Sequence, residues 1–172
     1  PAGVTDPGPG PILTQGVGQH VSFLVTLLPY IDQQAVANNF DVSLGTYAAA
    51  NVPARQMRIP IYSCPSFPMP GLNEAGTAAL TSYAGCHHSK EAPIDVTNTG
   101  LLYLNSRFRY SEILDGSSNT IVIGEFMPLG NSLGWASGTR ASLRNTSEII
   151  DIQTWRQMDG ARTEKPTTVG GF

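Results

Sequence analysis

Charge is scarce in this chain. Asp, Glu, Lys and Arg make up 13% of its 172 residues, and the formal net charge is −3. There is no run of basic residues, which argues against a nucleic-acid surface, where clustered Lys and Arg must neutralise phosphates. There is also no lipidation signal and no apolar stretch of the 18 or so residues needed to cross a bilayer. The motifs of several enzyme classes are missing too. No G-x-S-x-G elbow follows a strand, no Walker A loop or G-x-G-x-x-G opens a helix, and HExxH does not occur. No catalytic residue is assigned and no cofactor is expected.

Cysteine is almost absent. Cys64 and Cys86, in YSCPSFP and YAGCHHS, allow one internal pairing and fit no CxxC zinc or redox spacing. The expectation is a disulfide closing a modest loop, worth about 3 kcal/mol by chain entropy; the alternative is two free buried thiols.

Turn formers, by contrast, are abundant. Eighteen Gly and thirteen Pro predict a loop-rich, β-containing fold. A chain of this length suits one domain, here with residues 1–17 as a Pro/Gly-rich irregular arm and 18–172 as the core. Phe23, Leu24, Leu27, Leu28 and Ile31 recur at helical spacing, so an amphipathic helix is predicted, kinked or restarted at Pro29. His20 reads as a capping or packing residue at its start. Strands are predicted over 55–62, with Pro60 at an edge, over 81–86 and over 100–104, and around Trp135 and Trp155. The segment 111–126, SEILDGSSNTIVIGEF, reads as a helical turn, an Asp-Gly turn and a β-branched strand buried on both faces. The fold class is α+β, an antiparallel sheet packed on an N-terminal helix.

Candidate chemistry is thin, and each group also has a structural role. His87 and His88 with Glu91 and Asp95 form the one cluster resembling metal ligands, but neighbouring side chains on a strand face opposite ways. Asp115, Ser117 and Asn119 offer oxygen ligands for calcium without the alternating carboxylates of an EF-hand. Glu112, Asp115 and Glu125 could converge as glycosidase carboxylates. Trp135 and Trp155 could form stacking platforms for a carbohydrate, or belong to the core.

Five separated motifs, read in order, resemble one bacterial family. They are Pro1-Ala2-Gly3, LLPYIDQ at 27–33, IYSCPS at 61–66, TSYAG at 81–85 and ILDGSSNTIVIGE at 113–125. Together they resemble the planctomycete domain-of-unknown-function proteins that carry a prepilin-type N-terminal segment and end in an H-X9-DG segment. The resemblance implies a globular head related to type IV pilins and type II secretion pseudopilins, exported to the cell surface, periplasm or extracellular space. It also implies self-assembly or contact with other pilin-like subunits, with membrane attachment only through a long N-terminal helix. On this reading Pro1 lies just past that helix and Phe172 just before the final motif, so the chain is a piece of something longer. Cys86 follows YAG where the family commonly has Asn, a departure that favours a Cys64–Cys86 bridge. The leading expectation is therefore a non-enzymatic structural head; a secreted carbohydrate- or ligand-binding module is the alternative.

Overall fold

The computed structural model describes residues 1–66 and 71–147. Its elements are short and are joined by many turns, as the Gly and Pro content predicts. Strands are β1 (Val4–Thr5), β2 (Val21–Ser22), β3 (Tyr83–His88), β4 (Ile123–Glu125) and β5 (Leu143–Asn145). Helices are α1 (Phe23–Leu27), α2 (Gln34–Asn38) and α3 (Val52–Arg55), with six 3₁₀ turns between elements of the described chain. The fold is α+β.

The amphipathic segment near the start behaves as its pattern requires. Ser22 caps α1 by accepting the Leu24 N–H, which satisfies one of the free donors of the first turn. Pro29 has no N–H to donate, so the helix changes to a 3₁₀ turn at Leu28–Ile31 with Pro in its first turn. Asp32 then turns the chain in the left-handed region (φ 58°), and α2 begins at Gln34.

The main sheet has three strands in the order β4-β3-β5. β4 runs antiparallel to β3, but β5 runs parallel to it, so the sheet is mixed rather than antiparallel. A register shift between Cys86 and His88 marks a bulge. Several predicted strands take other forms. Residues 55–62 leave α3 and enter a 3₁₀ turn at Pro60–Tyr62, because Pro60 starts a turn more readily than it joins a ladder. Residues 100–104 run beside β3 through single contacts, Gly100 N–H to His87 O (2.9 Å) and Leu102 N–H to Cys86 O (3.1 Å), without forming a strand. Trp135 lies in a turn-rich segment, and Trp155 lies outside the described residues.

The core joins segments distant in sequence. Trp135 has no exposed surface and packs between Phe40 (ring centroids 6.5 Å apart) and Tyr62 (5.8 Å). Both polar tips find partners: the Trp135 indole donates to Met57 O (3.1 Å), and the Tyr62 hydroxyl to Leu24 O (2.6 Å).

The N-terminal arm is irregular, as its composition predicts, but it is not confined to the surface. Val4 is fully buried in the core, and Ile12 bridges to Ile94. Gly3 and Val4 N–H groups both donate to Tyr103 O, the Asn105 N–H donates to Val4 O, and the Phe23 N–H donates to Gly3 O. A Cβ on Gly3 would stand 2.1 Å from the Leu102 carbonyl carbon, so only glycine lets the arm lie this close.

Candidate functional site

The segment 107–126 supplies the most distinctive surface. A 3₁₀ turn at Tyr110–Glu112 is closed at both ends: the Glu112 carboxylate accepts the Arg109 N–H (2.6 Å), and the Glu112 N–H donates to Arg109 O (3.0 Å). Gly116 turns the chain at φ 79°, a conformation that a side chain would strain. A second 3₁₀ turn, Ser117–Asn119, then delivers the chain to β4.

The β-branched run that follows is not buried. Ile121 is 57% exposed, Val122 and Ile123 are also open, and β4 forms an edge of the sheet. Leu114, at the preceding turn, is 95% exposed, and Tyr110 and Phe108 are exposed beside it in sequence. The expected double burial is not found: among the described residues β4 is an edge strand, and the side chains of Ile121, Val122 and Ile123 stay open. Cys86 N–H donates to Val122 O, and Phe126 N–H to Ser82 O, both at 2.8 Å. By the alternation of an antiparallel ladder, the N–H and C=O groups of Ile121, Ile123 and Glu125 face away from β3. Among the described residues this leaves a row of outward backbone groups without partners, flanked by exposed Leu and Ile, a template for another chain.

The candidate ligand groups of this segment do not converge. The Asn119 amide donates to Asp115 O (3.0 Å), and the Ser117 hydroxyl is hydrogen-bonded to the Tyr110 hydroxyl. Two of the three calcium candidates are thus engaged in holding their own loop. Glu112, Asp115 and Glu125 are each exposed, and Glu112 is occupied by its cap.

The histidine pair divides as strand alternation predicts. His87 is fully buried, its Nδ1 3.0 Å from the Asn98 side-chain oxygen, and its Nε2 has no partner. That oxygen already accepts the Asp95 N–H, while the Asn98 amide donates to Pro93 O, so His87 Nδ1 is the donor. Burial drives the His87 pKa down to about 4, more than the Asn98 bond and Glu91 raise it. His88 instead meets the Thr99 hydroxyl (2.6 Å) at the surface. Glu91 accepts from the Asn145 amide, and Asp95 from the Val96 N–H. No group of three or more His, Cys, Asp or Glu is placed to hold a metal among the described residues.

The cysteines are free thiols, not the expected bridge. Cys64 is half-buried, with its side chain near the Tyr83 phenol. Cys86 lies three residues beyond Tyr83 on β3, hence on the opposite face, and is buried with Sγ 3.6 Å from His88 O. The two thiols point to different sides of the strand. Trp135, a platform candidate, is sealed in the core.

Sequence reasoning missed one constellation, a largely buried line of polar contacts. His20 Nε2 lies 3.8 Å from the Asp6 carboxylate, and His20 Nδ1 is 3.0 Å from the Tyr47 hydroxyl. That hydroxyl is 2.7 Å from Ser137, which is 3.0 Å from Thr139. Burial alone would raise the Asp6 pKa, but N–H donors from His20, Gly8 and Gln19, with the His20 charge, bring it below its usual value. His20 is pulled down by burial despite Asp6, and burial pushes the Tyr47 phenol up. The members span residues 6 to 139 with no common spacing, so no local motif announces them. Ser137 and Thr139 are fully buried, so the chain pins the arm to the core.

Among the described residues no helix is long and apolar enough to cross a membrane. The family model described as "Protein of unknown function (DUF1559)" matches residues 1–169, and the chain belongs to that family. No curated protein and no solved structure matches it.

Proposed function

From that membership and the open edge of the sheet, we propose that this chain is a non-enzymatic structural protein. It would be the globular head of an exported pilin- or pseudopilin-like surface protein, working through contacts with other copies of itself. The observation that carries the reading is β4: its outward backbone groups and the exposed Leu114, Ile121 and Ile123 offer both ladder bonds and apolar area to a second subunit. Among the described residues, the relay-like chain from Asp6 through His20 and Tyr47 runs into Ser137 and Thr139, which substrate cannot reach, and this supports a role without catalysis. A carbohydrate-binding role loses its Trp135 platform to the core, and no other observation favours it.

The test is sedimentation velocity on the full chain over a range of concentrations. Wild type is expected to associate as concentration rises, and Ile123→Lys and Leu114→Ser to remain monomeric with unfolding midpoints unchanged within about 0.5 kcal/mol. Wild type that stays monomeric throughout, or variants that associate equally, would sink the reading.

A further inference from the structure

Arg55 ends α3, its side chain lies in the interior, and only 6% of the residue is exposed. Buried arginines are ordinarily held by a carboxylate or by several carbonyls, since five N–H donors and a full charge leave water together. Arg55 has neither. Its Nε is sealed from solvent without a partner, and its guanidinium makes no hydrogen bond or ion pair among the described residues. The Tyr47 ring lies against it, 5.6 Å from Cζ.

No counter-charge is at hand among the described residues. Tyr47 is a neutral phenol, engaged through its hydroxyl with His20 and Ser137. Asp6 is the one buried carboxylate among the described residues. It is committed to the N–H groups of Gly8, Gln19 and His20. A four-residue helix contributes little negative potential at its end. The second buried arginine, Arg144, differs, because it stacks on Phe126 at 4.6 Å and has further partners. Arg55 is a largely buried cation that no anion among the described residues balances.

We propose that Arg55, backed by the Tyr47 ring, is the receptor for a carboxylate that is not part of the described chain. The Nε side is closed, so the two Nη nitrogens form the accessible end of the fork. Two parallel N–H donors match the two oxygens of a carboxylate in one plane. A single isolated positive charge in a chain of net charge −3 balances a monoanion, whereas a phosphate dianion would leave excess negative charge in the interior. A small free acid and a polypeptide both supply such a carboxylate, and the chemistry at Arg55 is the same for either.

The experiment uses the full chain at pH 7 and constant ionic strength. Acetate replaces chloride stepwise while thermal unfolding and the NMR signal of the Arg55 Nε–H are followed. Parallel titrations use inorganic phosphate and a short peptide with a free or an amidated C-terminus. Acetate is expected to raise the unfolding temperature saturably above the chloride control and to shift the Arg55 signal. Arg55→Gln is expected to weaken that response roughly tenfold or more, the effect of losing a charge-assisted bidentate contact. A response to the free-acid peptide but not the amidated one, stronger than to acetate, identifies a polypeptide source. No saturable response in wild type, a response to phosphate alone, or an equal response in Arg55→Gln would overturn the proposal. If Arg55→Gln does not fold, an Arg55 signal that acetate leaves unmoved in wild type overturns it instead. None of these readouts depends on association through β4.

Discussion

His87 should make this protein acid-sensitive well above the range in which carboxylates titrate. Its pKa is about 4 in the fold against 6.5 in an open chain, because the ring is fully buried and its Nε2 has no group to receive a proton's charge. A group whose folded pKa is depressed binds fewer protons when folded, so its contribution to stability is present above the unfolded pKa and lost as pH falls toward the folded one. At pH 7 both states are mostly neutral and little is lost. At pH 5 the unfolded histidine is nearly all protonated while the folded one is still mostly neutral. The difference is about 1.5 pKa units, or roughly 2 kcal/mol at 1.36 kcal/mol per unit. The charged and titratable neighbours, His88, Glu91 and Arg144, already act on that value. The assay is urea unfolding at pH 7 and pH 5 for wild type and His87→Gln, whose amide can still donate to Asn98. With a typical slope of 1–3 kcal/mol per molar urea, the wild-type midpoint should fall by about 1 M more than the variant's. His20, also depressed by burial, titrates in both proteins and cancels in the comparison. Equal midpoint changes would refute the reasoning.

Two further outcomes are expected. Trp135→Ala should cost about 3–5 kcal/mol in chemical denaturation, since it empties the space between Phe40 and Tyr62 and leaves Met57 O without its donor; a loss under 1 kcal/mol would show that the core is organised elsewhere. A thiol reagent should label Cys64 in the native protein and Cys86 only after unfolding, because burial both shields Cys86 and raises its pKa; a mass increase on reduction would instead reveal a disulfide.

Local chemistry in this chain could be read from neighbouring residues, and long-range placement could not. Ser22, Phe23, Leu24 and Pro29 determine a cap, a helix and its conversion to a 3₁₀ turn through contacts within a few residues, and the structure follows them. The Asp115-Gly116 turn is equally local. The run Ile121-Val122-Ile123 is β-branched enough to form a strand, but whether both faces are covered depends on partners contributed from residues 83–88 and 143–145, which no local pattern specifies. The same holds for Val4, whose Pro- and Gly-rich surroundings suggest a loop although its partners lie about a hundred residues later. For the cysteines, the separation in sequence was compatible with a bridge; the face of β3 on which each sulfur sits was not written in that separation. The Asp6–His20–Tyr47–Ser137 chain combines four residues from four segments, each unremarkable where it stands.

The short arm described above also sets how this molecule would respond to a mechanical load. A pull at Pro1 is carried first by Gly3 and Val4, whose backbone groups are tied to Tyr103, Asn105 and Phe23 and whose valine side chain is seated in the core. Those attachments fall on two adjacent residues of the arm, so tension would be shared by them at once rather than peeled off singly. Beyond them, β1 meets the strand that leads into α1, and Asp6 ties the arm to His20. Force entering at this end therefore reaches the interior after very little slack, and the first yielding step would expose the Leu102–Asn105 segment as well as the arm itself.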